Sequence, residues 1–179
     1  MSENIVLLSG APRKDGNTER LAAAFMEGAE SAGKTVTKFR VADMQIGGCR
    51  GCEHCMKEKG VCVQKDDMSA ILDALKQADA VVLASPVYYF NISAQTKLAI
   101  DRTFALLWIE TPIKRAALLM TSGDESPDVA EAAVAMLTRI CDYSKWENAG
   151  AVIAGGLHIP GEIDGRAELE SARALGREI

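Results

Sequence analysis

The stretch Asn4-Ile5-Val6-Leu7-Leu8-Ser9-Gly10-Ala11-Pro12-Arg13-Lys14-Asp15-Gly16-Asn17-Thr18 decides the fold. It opens as a continuous apolar run, the pattern of a strand buried on both faces. A loop over residues 10–16 follows, with glycine at each end and a proline inside. A helix then begins near Asn17, a good N-cap, and carries Leu21, Ala22, Phe25, Met26 and Ala29 on one stripe.

The same rhythm repeats along the chain. Gly33 ends the first helix, and residues 35–40 alternate as a second strand. The Asp66-Asp67 pair opens a second helix, whose charges suit a helix N-terminus and whose core stripe is Met68, Ile71, Leu72 and Leu75. Residues 80–85 read as a third strand, 93–107 as a third helix and 116–121 as a fourth strand. A fourth helix opens at Ser126-Pro127, a cap followed by proline at the first helical position, with Ala130, Ala133, Val134, Leu137 and Ile140 inward. Residues 149–154 make a fifth strand, and a last helix runs from near Asp164 with Leu169, Ala172, Leu175 and Ile179 inward.

Strands and helices in strict alternation predict an α/β, three-layer, doubly wound domain with a five-stranded parallel sheet. Residues 1–179 read as a single domain with a cysteine-rich insertion at 47–62. Of the common strand orders, 2-1-3-4-5 suits five strands and places the ligand crevice at the carboxyl ends of strands 1 and 3.

Composition narrows the function classes. Hydrophobic residues at 48% and charged residues at 25% are ordinary for a globular chain. A net charge of −5, from 20 basic and 25 acidic side chains, argues against sequence-independent binding to nucleic acid or anionic lipid. No apolar run approaches the roughly 20 residues of a membrane span. The start Met1-Ser2-Glu3-Asn4 has no signal-peptide character, which predicts a cytoplasmic protein.

The loop after strand 1 suits a phosphate. A helix N-terminus offers unpaired N–H groups and a positive dipole end. Ser9, Asn17 and Thr18 add neutral donors, Gly10 and Gly16 let the backbone come close, and Arg13 and Lys14 charge the rim. Neither GxxxxGK[ST] nor GxGxxG is present. A polar loop without a magnesium ligand fits a phosphate monoester such as that of FMN; the plainer alternative is a βα turn with capping residues.

Strand 3 runs into Ser85-Pro86-Val87-Tyr88-Tyr89-Phe90-Asn91-Ile92-Ser93. Three consecutive aromatics at the sheet edge that carries the phosphate loop suit the wall of a flat heteroaromatic ring, with backbone N–H groups at its pyrimidine edge. Elsewhere such a triplet is more often core or interface.

The segment Ser-Gly-Ala-Pro-Arg-Lys-Asp-Gly-Asn-Thr at 9–18 resembles the phosphate loop of the NADPH-dependent FMN reductase family, which is flavodoxin-like. Ala84-Ser85-Pro86-Val87-Tyr88-Tyr89 and the later Lys97-x-x-Ile100-Asp101-Arg102 resemble its second signature. The resemblance implies that Ser9, Pro12, Arg13, Gly16, Asn17 and Thr18 hold the FMN phosphate. It implies that Pro86, Val87, Tyr88, Tyr89, Phe90 and Asn91 contact the ring, with Thr121 and Gly123 in a third flavin-side loop. It also implies NAD(P)H as co-substrate and a homodimer or homotetramer.

Cys49-x-x-Cys52-x-x-Cys55, with Cys62 on the returning chain, is the unusual feature. Repeated two-residue gaps let thiolates converge on one centre, and glycines at 47, 48, 51 and 60 permit the winding. The spacing suits a [4Fe–4S] cluster; zinc with four thiolates, free thiols and regulatory disulfides are the other outcomes it allows. The run, through Asp66-Asp67-Met68, resembles the compact cysteine motif of the iron-sulfur flavoproteins, a branch of the same family. That implies a cluster near the flavin, passing single electrons between a two-electron donor and a one-electron partner.

Cys141 reads as plain core, and His54 and His158 as loop residues. No side chain stands out as a catalytic acid or base, so the expected chemistry is the cofactor's. The function expected is an FMN-dependent oxidoreductase moving electrons from NAD(P)H or a reduced carrier to a small acceptor. A flavin-based electron carrier without turnover and a thiol-based redox sensor are the alternatives. An apolar patch at Leu106, Leu107, Trp108 and Ile109 suits either a subunit contact or closure of the core.

Overall fold

The computed structural model describes residues 3–179, Pro127 by its backbone alone. Met1 and Ser2, the start of the run read above for signal character, lie outside the described residues. The strands β1 (Asn4–Ser9), β2 (Thr35–Arg40), β3 (Ala80–Pro86), β4 (Arg115–Thr121) and β5 (Glu147–Ala154) form one parallel sheet in the order β2-β1-β3-β4-β5. The helices are α1 (Asn17–Ser31), α2 (His54–Lys57), α3 (Met68–Leu75), α4 (Ala94–Arg102), α5 (Glu131–Ser144) and α6 (Ala167–Glu178). This is the predicted flavodoxin-like topology.

The apolar run of β1 explains why that strand sits inside the sheet. Val6 and Leu8 point into a core shared with α3, α4 and α5, while Ile5 and Leu7 point into one shared with α1 and α6. Both faces are covered, so no polar residue is tolerated until Ser9. Truncating Leu7 or Leu8 to alanine is expected to cost about 2–5 kcal/mol. The pair α1 and α6 packs backbone to backbone. A Cβ on Gly28 would lie 2.1 Å from the Arg173 carbonyl oxygen, and one on Gly176 2.2 Å from that of Phe25. Neither glycine can be replaced without parting the helices.

Several boundaries differ from expectation, each for a local reason. Residues 93–107 do not form one helix: α4 stops at Arg102 and tightens into a 3-10 segment, Thr103–Trp108. There Thr103 Oγ1 donates back to the Ile100 carbonyl at 2.7 Å, and the tighter turn buries Ala105 and Leu106 while exposing Phe104 and Leu107. The fourth helix also opens as a 3-10 turn, Pro127–Ala130, before α5. α6 starts at Ala167, three residues after Asp164, because Gly165 has φ +77° and breaks the approach. β5 starts at Glu147, two residues before Ala149, and a bulge opposite Ala116 and Ala117 absorbs the extra length, with Gly150 at φ +105°. α2 was not foreseen; it is a single turn inside the cysteine stretch.

Among the described residues no helix is long and apolar enough to cross a membrane.

Candidate functional site

The carboxyl ends of β1 and β3 bring two loops together. Gly10 N–H donates to the Ala84 carbonyl at 2.9 Å, continuing the sheet one step past Ser9. Ser93, the N-cap of α4, then ties the loops. Its Oγ donates to the Gly10 carbonyl at 2.9 Å, and its N–H donates to Ser85 Oγ at 2.8 Å. A Cβ on Gly10 would meet Thr96 Oγ1 at 1.9 Å and Ser93 Oγ at 2.5 Å, so only glycine lets this contact close.

Gly16, not Asn17, occupies the N-cap of α1, and Asn17 is the first helical residue. No side chain caps the helix, so nothing within the described residues accepts the N–H groups of Asn17 and Thr18. Such an end suits an anion. Pro12, Arg13, Lys14 and Asp15 are exposed along the loop, and Arg13 has no ion-pair partner among the described residues.

Several predicted residues have duties inside the protein. Ser9 is fully buried, and its hydroxyl donates to Glu19. Asn17 Nδ2 donates to the Ile159 carbonyl at 2.9 Å, while its Oδ1 accepts from Gly161 and Ile163 N–H at 2.9 and 3.4 Å. Thr18 and Thr121 share a hydroxyl–hydroxyl hydrogen bond of 2.6 Å, joining α1 to the end of β4. Val87 N–H donates to the Thr121 carbonyl at 2.8 Å, so the β3 loop is anchored there too.

Tyr88 and Asn91 exchange backbone hydrogen bonds of 2.8 and 3.2 Å across a two-residue turn. Its central residues are Tyr89 and Phe90, with φ +46° and +64°. Two successive left-handed residues are the mark of a primed turn, where Asn-Gly is the relaxed choice. Two aromatics there are strained by about 1–2 kcal/mol each. Tyr89 is 99% exposed and Phe90 64%, so the strain displays the rings outward rather than burying them. The Asn91 side chain turns back to accept Ile92 N–H at 2.8 Å.

Gly123 stands in the loop after β4, beside His158: a Cβ there would lie 3.2 Å from His158 Nδ1. His158 and Ile159 donate their N–H groups to Glu162 Oε2 at 2.6 and 2.9 Å, which holds that carboxyl below its usual range. The segment over 157–163 therefore closes a third side of the site. The sequence carries no signal for it beyond Pro160-Gly161.

Glu19 was also unforeseen, although it lies within the first turn of α1. Its carboxylate is buried and accepts from Ser9 and Lys38, and it pairs with Arg40 Nη1 at 2.6 Å. Arg40 also donates to the Ala11 carbonyl at 3.1 Å and to Asp43 at 3.0 Å. Burial lowers the Arg40 pKa, but Asp43 and Glu19 outweigh that and raise it. The β2 cations thus brace the loop after β1 from behind.

The cysteine loop begins and ends on one clamp. Arg102, at the end of α4 and 2% exposed, forks onto Asp66 at 2.8 and 3.0 Å and donates to the Gly47 carbonyl at 2.7 Å. Asp66 also accepts Gly47 N–H at 3.0 Å. The Arg102 fork holds the Asp66 carboxyl below its usual range. Arg102 Nε is buried and has no hydrogen-bond partner among the described residues. Between the clamped ends Cys49 and Cys52 are exposed, while Cys55 and Cys62 are partly buried against the core. Gly51, Glu53 and Gly60, with φ +61°, +57° and +77°, turn the chain back. Burial pushes the Cys55 thiol up, and Cys62, Cys49 and Cys52 stand near enough to push it further.

No group of three or more His, Cys, Asp or Glu among the described residues is gathered around a point that would hold one metal ion. A lone zinc with four thiolates needs sulfurs roughly 3.8 Å apart, from Zn–S bonds of about 2.3 Å. Cys141 is buried core, as expected.

These features define a flavodoxin-like redox fold. The family model for NADPH-dependent FMN reductase matches residues 4–152. An iron-sulfur flavoprotein of Archaeoglobus fulgidus is 34% identical over 174 residues, 95% of this chain and 76% of that protein. Iron-sulfur flavoprotein MJ1083 of Methanocaldococcus jannaschii is 37% identical over 99 residues, 55% of this chain and 51% of that protein's length. The fold is shared with an NAD(P)H:quinone oxidoreductase from Methanothermobacter marburgensis, at TM-score 0.80 and 22% identity, over 99% of this chain and 96% of that one. The chain belongs to the NADPH-dependent FMN reductase family of flavin oxidoreductases, in its iron-sulfur flavoprotein branch.

Proposed function

We propose that residues 1–179 act as one FMN-binding unit that takes electrons from NAD(P)H or a reduced carrier and passes them to a small acceptor. The observation that carries this is the open N-terminus of α1, set beside a β3 loop that is clipped to it through Ser93. FMN, when bound, supplies hydride and single-electron chemistry. The chain's own residues bind and orient. Asn17 and Thr18 N–H groups and the α1 dipole hold the phosphate, with Arg13 and Lys14 at the rim. Residues 86–91 support the ring, Tyr88, Tyr89 and Phe90 supply apolar faces, and Thr121 and Gly123 close the far side. A quinone-like, nitro or azo compound, free flavin or a carrier protein fits an acceptor reached from the exposed turn.

Cys49, Cys52, Cys55 and Cys62 are assigned to a [4Fe–4S] cluster, which would supply one-electron transfer. The repeated two-residue spacing of the cysteines, the buried Arg102 cation that holds the ends of their loop and the names of the relatives support that assignment. A cytoplasmic location suits thiols that must stay reduced. A homodimer or homotetramer is supported by a cleft of about 1050 Å³ between residues 103–111 and α5, where Phe104, Leu107 and Tyr143 are exposed.

Anaerobic purification tests this, with FMN, iron and sulfide counted per chain and NADH and NADPH oxidation followed with a quinone. One FMN per chain and steady turnover are expected. Bound FMN with no turnover on either nicotinamide would favour the carrier. A protein that stays colourless after reconstitution with FMN would overturn the proposal in favour of a thiol sensor.

A further inference from the structure

We propose that Arg102 is the positioning residue of the cysteine loop: it locks the loop's two ends, at Gly47 and Asp66, onto the end of α4 and keeps its buried Nε–H for the Cys62 sulfur. The ligand half rests on the cluster assignment above; the clamp half does not.

Burying a guanidinium is costly unless its charge and its donors are all met. Arg102 meets most of this with the Asp66 fork and the Gly47 carbonyl. Of its three nitrogens Nε alone is left without a partner among the described residues, in a water-excluded position, and an orphaned donor of that kind costs about 1–3 kcal/mol. Cys62, partly buried on the returning limb, lies four residues before Asp66, the residue that the guanidinium grips, and its charge acts on that guanidinium. A thiolate sulfur at that position would satisfy the orphan and the remaining charge together. Lysine cannot substitute, because it lacks the planar fork and has a single nitrogen.

The helix that carries Arg102 gives the clamp a wider role. Ser93 caps the other end of α4 and ties both flavin-side loops. One short helix of nine residues thus joins the two regions, so the cysteine loop is held by the same rigid element as the candidate flavin pocket.

Arg102→Lys tests both halves, with Asp66→Asn as a second variant that leaves Arg102 in place. FMN affinity, read by flavin fluorescence, is expected to stay within about twofold, since the substitution is remote from the phosphate loop. Trypsin cleavage at Arg50, Lys57, Lys59 and Lys65 is expected to accelerate about tenfold, equivalent to 1.4 kcal/mol of lost closure. In anaerobically loaded protein, iron per chain is expected to fall. The reduction potential of the remaining iron–sulfur centre should drop, because a lost donor no longer stabilises its more negative state, while the flavin potential stays put. Wild-type cleavage rates in both variants would overturn the clamp. An unmoved iron–sulfur potential would overturn the sulfur contact. Wild-type protein that takes up no iron, while Arg102→Lys still opens the loop, would fail the cluster assignment and the sulfur contact and leave the clamp standing.

Discussion

The two regions that face ligand chemistry are held in opposite ways. The loops after β1 and β3 are tied to each other and to the sheet at several points, through Gly10, Ser93, Ser85, Thr121 and Asn17, with hydrogen bonds that are mostly buried. They are rigid enough to keep Tyr89 and Phe90 in a strained turn. The hydrogen bonds that tie the cysteine loop to the rest of the protein are at its ends, from Arg102 and Asp66, with Gln64 donating to the Gly48 carbonyl at 3.1 Å nearby, while Cys55 and Cys62 pack partly against the core. Its interior presents Cys49 and Cys52 to solvent. The contrast separates a site that is formed before its ligand arrives from one whose thiols are left for the ligand to draw in.

The contrast breaks most sharply at Gly10. Gly10→Ala forces a Cβ against Thr96 and Ser93, and is expected to cost about 3 kcal/mol in urea unfolding. FMN affinity should fall at least about tenfold with it, because the same clip aligns both loops. Loss of stability with FMN affinity intact would show that the clip does not shape the pocket.

Next comes the brace behind the phosphate loop. Glu19→Gln leaves Lys38 and Arg40 facing a neutral group. The expected loss is about 2 kcal/mol, below the 3–5 typical of a fully buried pair because both cations keep some solvent. Equilibrium unfolding in urea measures it.

The strained turn sharpens the comparison in the other direction. Replacing Tyr89 and Phe90 together by Asn and Gly should raise stability by about 1–2 kcal/mol, since both positions are left-handed. The same double variant should bind FMN more weakly. A gain in stability with undiminished affinity would remove the aromatics from the site.

The narrowest signature expected is in the pH dependence of the cysteine loop's clamp. The folded-state pKa of Asp66 is depressed by Arg102, so its contribution to stability is present above the ordinary carboxylate range. It begins to fade near pH 4, the unfolded value, and is lost as the pH drops through the folded value. Urea unfolding between pH 3 and 6 should show a shallower acid decline in Asp66→Asn than in wild type.

The architecture was legible because β1, β3 and β4 are apolar on both faces, which only a covered parallel sheet accommodates. The two loops could be located for the same reason, since strand order places the crevice. The partners of the loop residues could not be read. Asn17 looks like a cap in sequence, yet its side chain reaches residues 142 or more positions away, and no local pattern encodes that. Ser9 looked like a free donor because Glu19 reads as an ordinary first-turn acid. The Arg102 clamp was hidden in the same way: it joins positions 36 and 55 residues apart.

The central claim is that the open end of α1 holds a phosphate, and comparing FMN with riboflavin tests it most directly. The two ligands share the ring and differ in that group alone. Fluorescence titration should give one FMN per chain, with riboflavin bound at least about 100-fold more weakly, the worth of one or two charge-assisted hydrogen bonds. Equal affinity for the two would contradict the claim.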